Sequence, residues 1–366
     1  MGDPPAPAPR GALMPRVWEV PVHDSTRVRD VRVAAEAAAQ WAGLEDDRTA
    51  GAALVATELA TNLLKHGGGG HVLLEITSPA TPAHGDERAG VVQILAVDHG
   101  PGIADVAAAM RDGHSTAGSL GAGLGTCRRA ADDFALHSAP GRGTIALARI
   151  APRGTGRPAA DPGPARAGGI NHPFAGAEFS GDAWAWVRSG DRLTLMLADG
   201  LGHGEHAARA SSTAVAEVHR CAHLPADRLL RALHTALRGT RGAALAVAQL
   251  DLSGGRLSFT GVGNIGARLR RGDRWRPLLS HPGIVGAHLP GRLPWHTEEW
   301  SDDCLLVLHS DGLPSRWSAG PLDLDSSLDP AVVAATIVRD ASSPARPVRD
   351  DTAVVVLSPS SPDRLS

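Results

Sequence analysis

The first 150 residues alternate between hydrophobic patterns typical of helices and patterns typical of strands. Residues 27–41 and 48–66 repeat apolar positions at helical spacing. The first stripe consists of Val28, Val31, Ala35, Ala38 and Trp41, and the second of Leu54, Val55, Leu59 and Leu63. Strand-like runs occupy 17–22, 71–77, 91–98 and 144–150, and a third helix is predicted over 123–134. This order predicts a small sheet with helices packed on one face.

After about residue 180, strand-like runs follow one another more densely. They are short, and Gly, Asp and Pro separate them. The predicted strands lie at 182–187, 192–199, 243–252, 256–264, 304–312 and 352–357. Helical spacing occurs at 205–220, 226–238 and 330–339. Two packed sheets with helices outside them is the arrangement that this order favours.

A segment rich in Pro, Gly, Ala and Arg, residues 151–170, separates the two patterns and lacks a hydrophobic period. We predict that it links two domains of the α/β (α+β) class. The N-terminal domain then covers 16–150 and the C-terminal domain 171–358. The Pro- and Ala-rich residues before position 16 predict a disordered leader (1–15), and 359–366 predict a short tail.

Composition and charge exclude several classes of protein. Hydrophobic residues make up 43% and charged residues 20% of the 366 residues, a balance typical of folded cores. A net charge of −3 predicts no nucleic-acid or membrane-surface partner, and no apolar run approaches the roughly 20 residues that span a bilayer. Cys127, Cys221 and Cys304 are spaced too widely for a disulfide framework or a zinc knuckle. We therefore expect a cytoplasmic protein.

Acidic residues stand at the ends of four predicted strands in the C-terminal half: Asp182, Asp199, Asp311, and the pair Asp350 and Asp351. Carboxylates at strand ends can converge at one edge of a core, where their repulsion calls for a cation. Oxygen ligands that leave room for water suit Mg²⁺ or Mn²⁺, and two such ions can activate a water for attack on a phosphate. The alternative is that each Asp-Gly pair is only a turn after a strand.

The motifs around these aspartates resemble the SpoIIE-type branch of the PP2C phosphatases, and within it the stressosome feedback phosphatase. The resemblance covers about 172–357 and rests on SGDAW, DGLGHG, HTALRGTRGAA, GVGNIGA, SDGL and RDDTAVVV. It implies a PP2C-like α-β-β-α sandwich that removes phosphate from phosphoserine or phosphothreonine with two Mn²⁺ or Mg²⁺ ions. The metal ligands that it implies are Asp182, Asp199, Asp311 and Asp350, with the Gly200 carbonyl. Asp351 is the alternative to Asp350.

Two basic side chains near these motifs are candidates for contact with a substrate. His203 in DGLGHG could donate a proton to the leaving serine oxygen, or it could only support the loop. Arg241 could hold the substrate phosphate, because a guanidinium matches phosphate oxygens in a bidentate way. Arginine is abundant in this chain, so a solvated surface cation is the alternative at that position.

Four motifs follow one another in the N-terminal half. They are ELATNLLKH (58–66), DHGPGI (98–103), GSLGAGLGTCRRAADDF (118–134) and GRGT (141–144). On a helix, Glu58, Asn62 and His66 are four residues apart and fall close to one face. The third motif runs from a Gly-rich loop into a helix N-terminus, which favours phosphate binding. Together the motifs predict a nucleotide site.

This ordered set resembles the GHKL, or Bergerat-fold, ATPases and kinases, and within them the serine/threonine kinases of the anti-sigma-factor and stressosome-switch type. It covers about 17–150 and implies a Bergerat α/β sandwich that binds ATP with Mg²⁺. In that resemblance Glu58 is the general base, Asn62 coordinates Mg²⁺ and Asp98 hydrogen-bonds the adenine amino group. The other cofactor-binding residues that it implies are Lys65, His66, Gly100, Gly102, Gly121, Gly123, Gly125 and Thr144.

Two interpretations of the whole chain follow from these resemblances. In the first, a kinase and a phosphatase act in opposition on one STAS-domain antagonist or scaffold protein that controls a sigma factor. In the second, the N-terminal half binds ATP and a partner but transfers no phosphate, and only gates the phosphatase. A water-activating ATPase or a two-component sensor kinase is less favoured, because neither a transducer domain nor a phosphoacceptor helical hairpin is evident.

Overall fold

The computed structural model describes residues 17–77, 90–110, 123–154, 164–174, 177, 179–314, 317, 328–342 and 348–360. The predicted leader, Gly121 and the middle of the predicted linker lie outside the described residues.

The N-terminal strands are β1 (Val17–Val22), β2 (Gly70–Thr77), β3 (Val91–Val97), β4 (Asp133–Ser138) and β5 (Thr144–Ile150). The helices are α1 (Thr26–Trp41), α2 (Asp46–Asn62), α3 (Val106–Ala109) and α4 (Gly123–Ala130).

The N-terminal strands form one antiparallel sheet in the order β1-β2-β3-β5-β4, with α1, α2 and α4 packed on one face. This confirms the predicted arrangement, with two differences. Strand β4 begins at Asp133, inside the range predicted as a helix. Trp41 and Leu54 are 46% and 44% exposed instead of buried, because alanines such as Ala38 and Ala56 supply the helix faces that meet the sheet.

The C-terminal part contains eleven strands and three helices among the described residues. The strands are β6 (Ala165–His172), β7 (Asp182–Ser189), β8 (Arg192–Gly200), β9 (Ala243–Asp251), β10 (Arg256–Val262), β11 (Gly266–Arg271), β12 (Arg274–Leu278), β13 (Ser280–His281), β14 (His296–Glu299), β15 (Cys304–His309) and β16 (Thr352–Pro359). The helices are α5 (Glu205–Cys221), α6 (Ala226–Leu237) and α7 (Pro330–Ala341).

These strands form two sheets, one in the order β13-β10-β9-β8-β7 with β14 beside β10, the other in the order β12-β11-β15-β16-β6. Apolar side chains of both sheets, such as Leu195 and Leu308, form the core between them. Helices α5 and α6 cover the first sheet and α7 covers the second. The result is the predicted α-β-β-α sandwich.

The predicted linker, 151–170, extends too far toward the C-terminus, because strand β6 begins at Ala165 inside this range. Its sequence, ARAGGINH, is rich in Ala and Gly and carries no hydrophobic period that would reveal a strand. The small residues are needed because α7 lies directly above them. A Cβ on Gly168 would lie 3.0 Å from the backbone nitrogen of Ala331.

Helix α7 lies between the two domains and packs against both. Its apolar residues, including Val332 and Val333, belong to one buried cluster with Leu73 and Leu147 of the N-terminal sheet and Val354 of the C-terminal sheet. The open face of the N-terminal sheet is therefore covered by a helix of the other domain. Buried apolar area of this kind is the main stabilising contribution in a protein core.

The sequence predicted no disulfide framework and no membrane-spanning segment, and the described residues bear on both points. All three cysteines are free and buried. No helix in the described ranges is both long and apolar enough to cross a membrane.

Candidate functional site

Asp182 and Asp199 face each other on neighbouring strands in the centre of the acidic site. They are direct partners in the register of β7 and β8. Asp182 is 1% exposed, and its Oδ2 accepts a hydrogen bond from the Ala353 backbone nitrogen at 2.9 Å. Burial raises the pKa of Asp182 well above its ordinary value, and the charge of Asp199 raises it further.

The remaining predicted ligands lie within electrostatic reach of Asp199. Burial raises the pKa of Asp199 to about 7, and the charges of Asp311, Asp350 and Asp351 add to the effect of burial. Asp311 follows β15, and its Oδ2 accepts a hydrogen bond from Asn264 Nδ2 at 2.6 Å. The structure thus brings together the carboxylates that the sequence predicted.

Asp350 and Asp351 have different surroundings. The Asp351 carboxylate accepts hydrogen bonds from the backbone nitrogens of Phe174 at 2.8 Å and Gly181 at 2.6 Å. Both of its oxygens therefore hold the segment that precedes β7. Asp350 is exposed, and one of its oxygens accepts the Asp351 backbone N–H at 2.9 Å. Within the described part of the chain, its second oxygen accepts no backbone hydrogen bond.

This donor set fits a divalent cation with water in its coordination shell. Among the described residues, no three His, Cys, Asp or Glu side chains already converge closely enough to form a ligand set by themselves. The charges of Asp311, Asp350 and Asp351 nevertheless raise the pKa of Asp199, and a bound cation would relieve that repulsion. Oxygen donors with open positions suit Mg²⁺ or Mn²⁺.

The DGLGHG loop adds backbone and basic groups next to the aspartates. A Cβ on Gly200 would lie 2.1 Å from the carbonyl oxygen of Ala207, so only glycine fits under the start of α5. Gly202 has a φ of +89°, and a Cβ there would lie 2.9 Å from Arg241 Nη1. The Arg241 guanidinium therefore lies over this turn. His203 is exposed in the same loop.

The predicted adenine site is built around Asp98 at the end of β3. Its Oδ1 accepts hydrogen bonds from the backbone nitrogens of Gly100 at 2.8 Å and Thr144 at 3.1 Å. Asp98 is 6% exposed, and burial raises its pKa. Gly67 packs so closely that a Cβ there would lie 2.8 Å from Asp98 Cβ. Gly102 shares this loop, with a φ of +70°.

The predicted catalytic and Mg²⁺-binding residues meet the glycine motif at α4. A Cβ on Gly123 would lie 3.0 Å from Glu58 Oε2 and 3.6 Å from both amide atoms of Asn62. Among the described residues, the buried Nδ2 of Asn62 has no hydrogen-bond partner. Gly125, two residues further along α4, is also buried. An unsatisfied buried amide at this point fits a site whose polar ligand completes its hydrogen bonds.

Lys65 and His66 lie in the turn that follows α2. The chain changes to a π-helical turn at Leu63–Gly67, which is wider than an α-helix and shifts the four-residue spacing. Both side chains are exposed. Their roles at the nucleotide site stay predictions.

Sequence reasoning missed two residues of these sites. Asn264 lies in GVGNIGA, which was noted as a motif without a role for the asparagine. Gly143 lies in GRGT, and a Cβ on it would lie 2.1 Å from the Asp98 carbonyl oxygen. In both cases the motif was visible in the sequence, but the contact depends on a second chain segment.

Comparison with known proteins assigns both halves of the chain. Residues 22–149 match the model of the histidine kinase-like ATPase domain, and residues 189–359 match that of stage II sporulation protein E (SpoIIE). The chain joins a histidine kinase-like ATPase domain to a SpoIIE domain. The fold class is thus confirmed as α+β, with an ATPase-like domain followed by a PP2C-like domain.

Individual relatives resemble separate parts of this fusion. The serine/threonine-protein kinase RsbT of Bacillus subtilis (strain 168) is 40% identical over 88 residues, which are 24% of this chain and 61% of RsbT. A chain from a structure of the bacterial stressosome is 30% identical, with a TM-score of 0.47, over 53% of this chain and 98% of that one. The PP2C domain of Bacillus subtilis SpoIIE, with a fragment of its regulatory domain, is 16% identical, with a TM-score of 0.46, over 78% and 83%.

Gly143 allows a test of the nucleotide site in the ATPase domain. We expect Gly143→Ala to weaken ATP binding at least about tenfold, because its Cβ would collide with the backbone beside Asp98. Gly141→Ala is the matched control, since Gly141 has a similar positive φ of +74° but no atom within 4 Å of a Cβ. Isothermal titration calorimetry with ATP measures both. Equal affinities for the two variants would contradict the prediction.

Proposed function

We propose that the chain is a cytoplasmic, bifunctional partner-switching regulator. The SpoIIE domain is a metal-dependent phosphatase of phosphoserine or phosphothreonine, and the ATPase domain is a serine/threonine protein kinase. Both act on a STAS-domain antagonist or scaffold protein. The observation that carries the proposal is the group of strand-end aspartates around Asp199, within a domain that matches the SpoIIE family.

In the phosphatase site, Asp182, Asp199, Asp311 and Asp350 hold two Mn²⁺ or Mg²⁺ ions together with the Gly200 carbonyl. Bound divalent ions supply an activated water and neutralise phosphate charge. Asp350 is the direct ligand in preference to Asp351, since both oxygens of Asp351 already accept backbone hydrogen bonds. Arg241 orients the substrate phosphate over the DGLGHG turn, and His203 protonates the leaving oxygen.

In the kinase site, Glu58 accepts the proton of a substrate hydroxyl as that oxygen bonds to the γ-phosphorus of ATP and ADP leaves. Asn62 holds Mg²⁺ and Asp98 holds the adenine. The proximity of Glu58, Asn62 and Gly123 supports this assignment, because phosphoryl transfer depends mainly on positioning and charge neutralisation. Lys65 contacts phosphate from its exposed position within the π-helical turn. The glycines implied by the GHKL resemblance shape the pocket, with Thr144 beside the adenine.

A second candidate function for the ATPase domain is a non-catalytic gate, and one set of contacts favours it. Arg142 of the GRGT loop forms an ion pair with Asp340 of α7 at 2.6 Å. His99, next to Asp98, lies 3.4 Å from the Arg339 carbonyl oxygen. A cavity of about 410 Å³ opens between the domains here. A change at the nucleotide site could pass through these contacts to α7, the helix that covers one sheet of the SpoIIE domain.

Radiolabelled ATP separates these two functions. We expect label to reach a STAS-domain substrate in an Asp199→Asn background, which prevents its removal, and to disappear when Glu58→Gln is added. Glu36→Gln, which changes a carboxylate that pairs with Arg32 on α1, is the control that should transfer label normally. Absence of transfer with bound ATP would exclude the kinase and leave the gate.

Phosphate release tests the SpoIIE domain independently of the kinase. We expect Mn²⁺-dependent release from a phosphorylated STAS-domain protein, reduced about 100-fold or more by Asp199→Asn, since metal assistance contributes several kcal/mol to such reactions. Asp191→Asn is the matched control, because Asp191 is exposed at the other end of β8. Metal-independent release, or equal activity of the two variants, would contradict the proposed site.

A further inference from the structure

Strand β6 is the last strand of its sheet, and side chains of the ATPase domain cover its outer edge. Gln93 Nε2 donates a hydrogen bond to the Gly169 carbonyl at 3.0 Å. The Asn171 backbone N–H donates to the Glu75 carboxyl group. An edge strand normally presents such groups to solvent or to another strand. Here an amide and a carboxyl side chain from the other domain satisfy them.

Glu75 and Gln93 hold this position because they form a fixed pair. They are partners in the register of β2 and β3, with exposures of 8% and 1%. Gln93 Nε2 donates to Glu75 Oε1 at 2.6 Å, and Gln93 Oε1 accepts from Arg149 Nε at 2.9 Å. Glu75 Oε2 also accepts from Trp184 Nε1 on β7 at 3.3 Å. The pair therefore contacts both strands that flank the acidic site.

Asn171 continues the connection from Glu75 to a predicted metal ligand. Its side-chain Nδ2 donates to the Asp182 carbonyl at 2.7 Å, and its Oδ1 accepts from Ser180 Oγ at 2.8 Å. Ser180 Oγ also accepts the Asp182 backbone N–H at 3.1 Å. Asn171 and Ser180 together fix the backbone of Asp182 on both sides.

We propose that Glu75 of the ATPase domain is a positioning residue for the phosphatase site, acting through Asn171 and Ser180 on Asp182. The ATPase domain is then a structural part of the metal site in addition to any role with ATP. The inference rests on the proposed metal-dependent phosphatase. Its physical basis is that Glu75 accepts hydrogen bonds from the buried Gln93 and Asn171 and from the partly buried Trp184, and its removal takes away the acceptor of all three.

Mn²⁺ binding to the full chain, measured by isothermal titration calorimetry, tests this role. Loss of groups that orient metal ligands typically weakens affinity about 10–100-fold, so we expect at least a tenfold weaker affinity for Glu75→Ala and Asn171→Ala. Glu75→Gln keeps the side-chain volume and one acceptor oxygen, and we expect it to retain most of the affinity. Wild-type affinity in Glu75→Ala would overturn the proposal.

Glu19→Ala is the matched control for a general loss of domain contact. Glu19 is also a carboxylate of the ATPase domain that reaches β6, where it contacts His172 Nε2 at 3.3 Å, but it does not contact Asn171 in the described hydrogen bonds. We expect this variant to bind Mn²⁺ like the wild type. If Glu19→Ala and Glu75→Ala lose affinity equally, a specific positioning role for Glu75 is excluded.

Hydrogen exchange without metal separates failure of this inference from failure of the proposed function. We expect faster exchange at the amides of 180–184 in Glu75→Ala than in the wild type or Glu19→Ala, because the Asp182 backbone loses its support. Unchanged exchange there would overturn the positioning role whether or not Mn²⁺ binds. A wild-type chain that binds no Mn²⁺ would instead overturn the proposed metal site, and the exchange result would still decide the role of Glu75.

Discussion

Replacing Arg149 with alanine is expected to lower the free energy of unfolding by about 3–5 kcal/mol, the usual cost of breaking a buried ion pair. Arg149 lies on β5, is 13% exposed at its side chain, and binds acidic groups of both domains. Nη1 donates to Asp133 at 2.6 Å, and Nη1 and Nη2 donate to the two oxygens of Asp329 at 2.8 and 2.9 Å.

The cost arises because the acids left behind are buried and lose the guanidinium that donates hydrogen bonds to both of them. Burial alone would raise the pKa of Asp329, but the charge and hydrogen bonds of Arg149 outweigh it and hold the pKa below its ordinary value. Asp329 also caps α7 by accepting the Ala331 backbone N–H at 2.9 Å. Without Arg149, the start of the helix that joins the domains would carry an uncompensated charge.

Urea unfolding followed by circular dichroism measures this effect. Arg153→Ala is the matched control, because Arg153 also pairs with an aspartate, Asp47, but both side chains are more than half exposed. Surface pairs of this kind contribute about 0–1 kcal/mol, so the control should unfold nearly like the wild type. A loss for Arg149→Ala no larger than that for Arg153→Ala would contradict the prediction.

The sequence revealed the elements whose local pattern matches their burial. Strands such as β15 and β16 are continuous apolar runs, and they were predicted because both of their faces are buried. Strand β6 was missed because the close approach of α7 requires small residues there. The resulting run of Ala and Gly has no alternation of hydrophobic and polar residues that would reveal a strand. The stripe of α2 was misplaced for a related reason, since Ala56 and Ala60 face the core and Leu54 faces outward.

The parts of the candidate sites that could be predicted are the proposed ligands at strand ends. The side chains from other segments that support these ligands could not be predicted. Asp182 and Asp199 could be grouped from sequence because strand ends converge at one edge of a sheet. The roles of Glu75 and Asn171 depend on how the two domains pack, and their sequence separation hides the contact.

Glu75 is also expected to make the stability of the protein depend on pH. Burial raises the pKa of its carboxyl group to about 8, against an ordinary value of 4.5. The hydrogen bonds from Gln93 and Trp184 and the charge of Arg149 act in the opposite direction, but burial outweighs them. The folded protein therefore keeps this group protonated over a range in which the unfolded chain ionises it.

Between pH 4.5 and about 8, the unfolded state binds fewer protons at this position than the folded state, so the free energy of unfolding falls as pH rises. The expected loss is about 1.4 kcal/mol per pH unit, or roughly 5 kcal/mol in total by pH 8, with no further change above that. Below pH 4.5 both states are protonated, so none of this stability is lost.

Glu75→Gln removes this titration while it keeps the shape of the side chain. Urea unfolding at intervals from about pH 5 to about pH 8 should show the variant gaining several kcal/mol relative to the wild type as pH rises. Other groups that titrate in both proteins, such as Glu19, cancel in the difference because the two chains share them. A difference that stays constant with pH would mean that Glu75 is ionised in the folded protein, so that its three donors outweigh its burial.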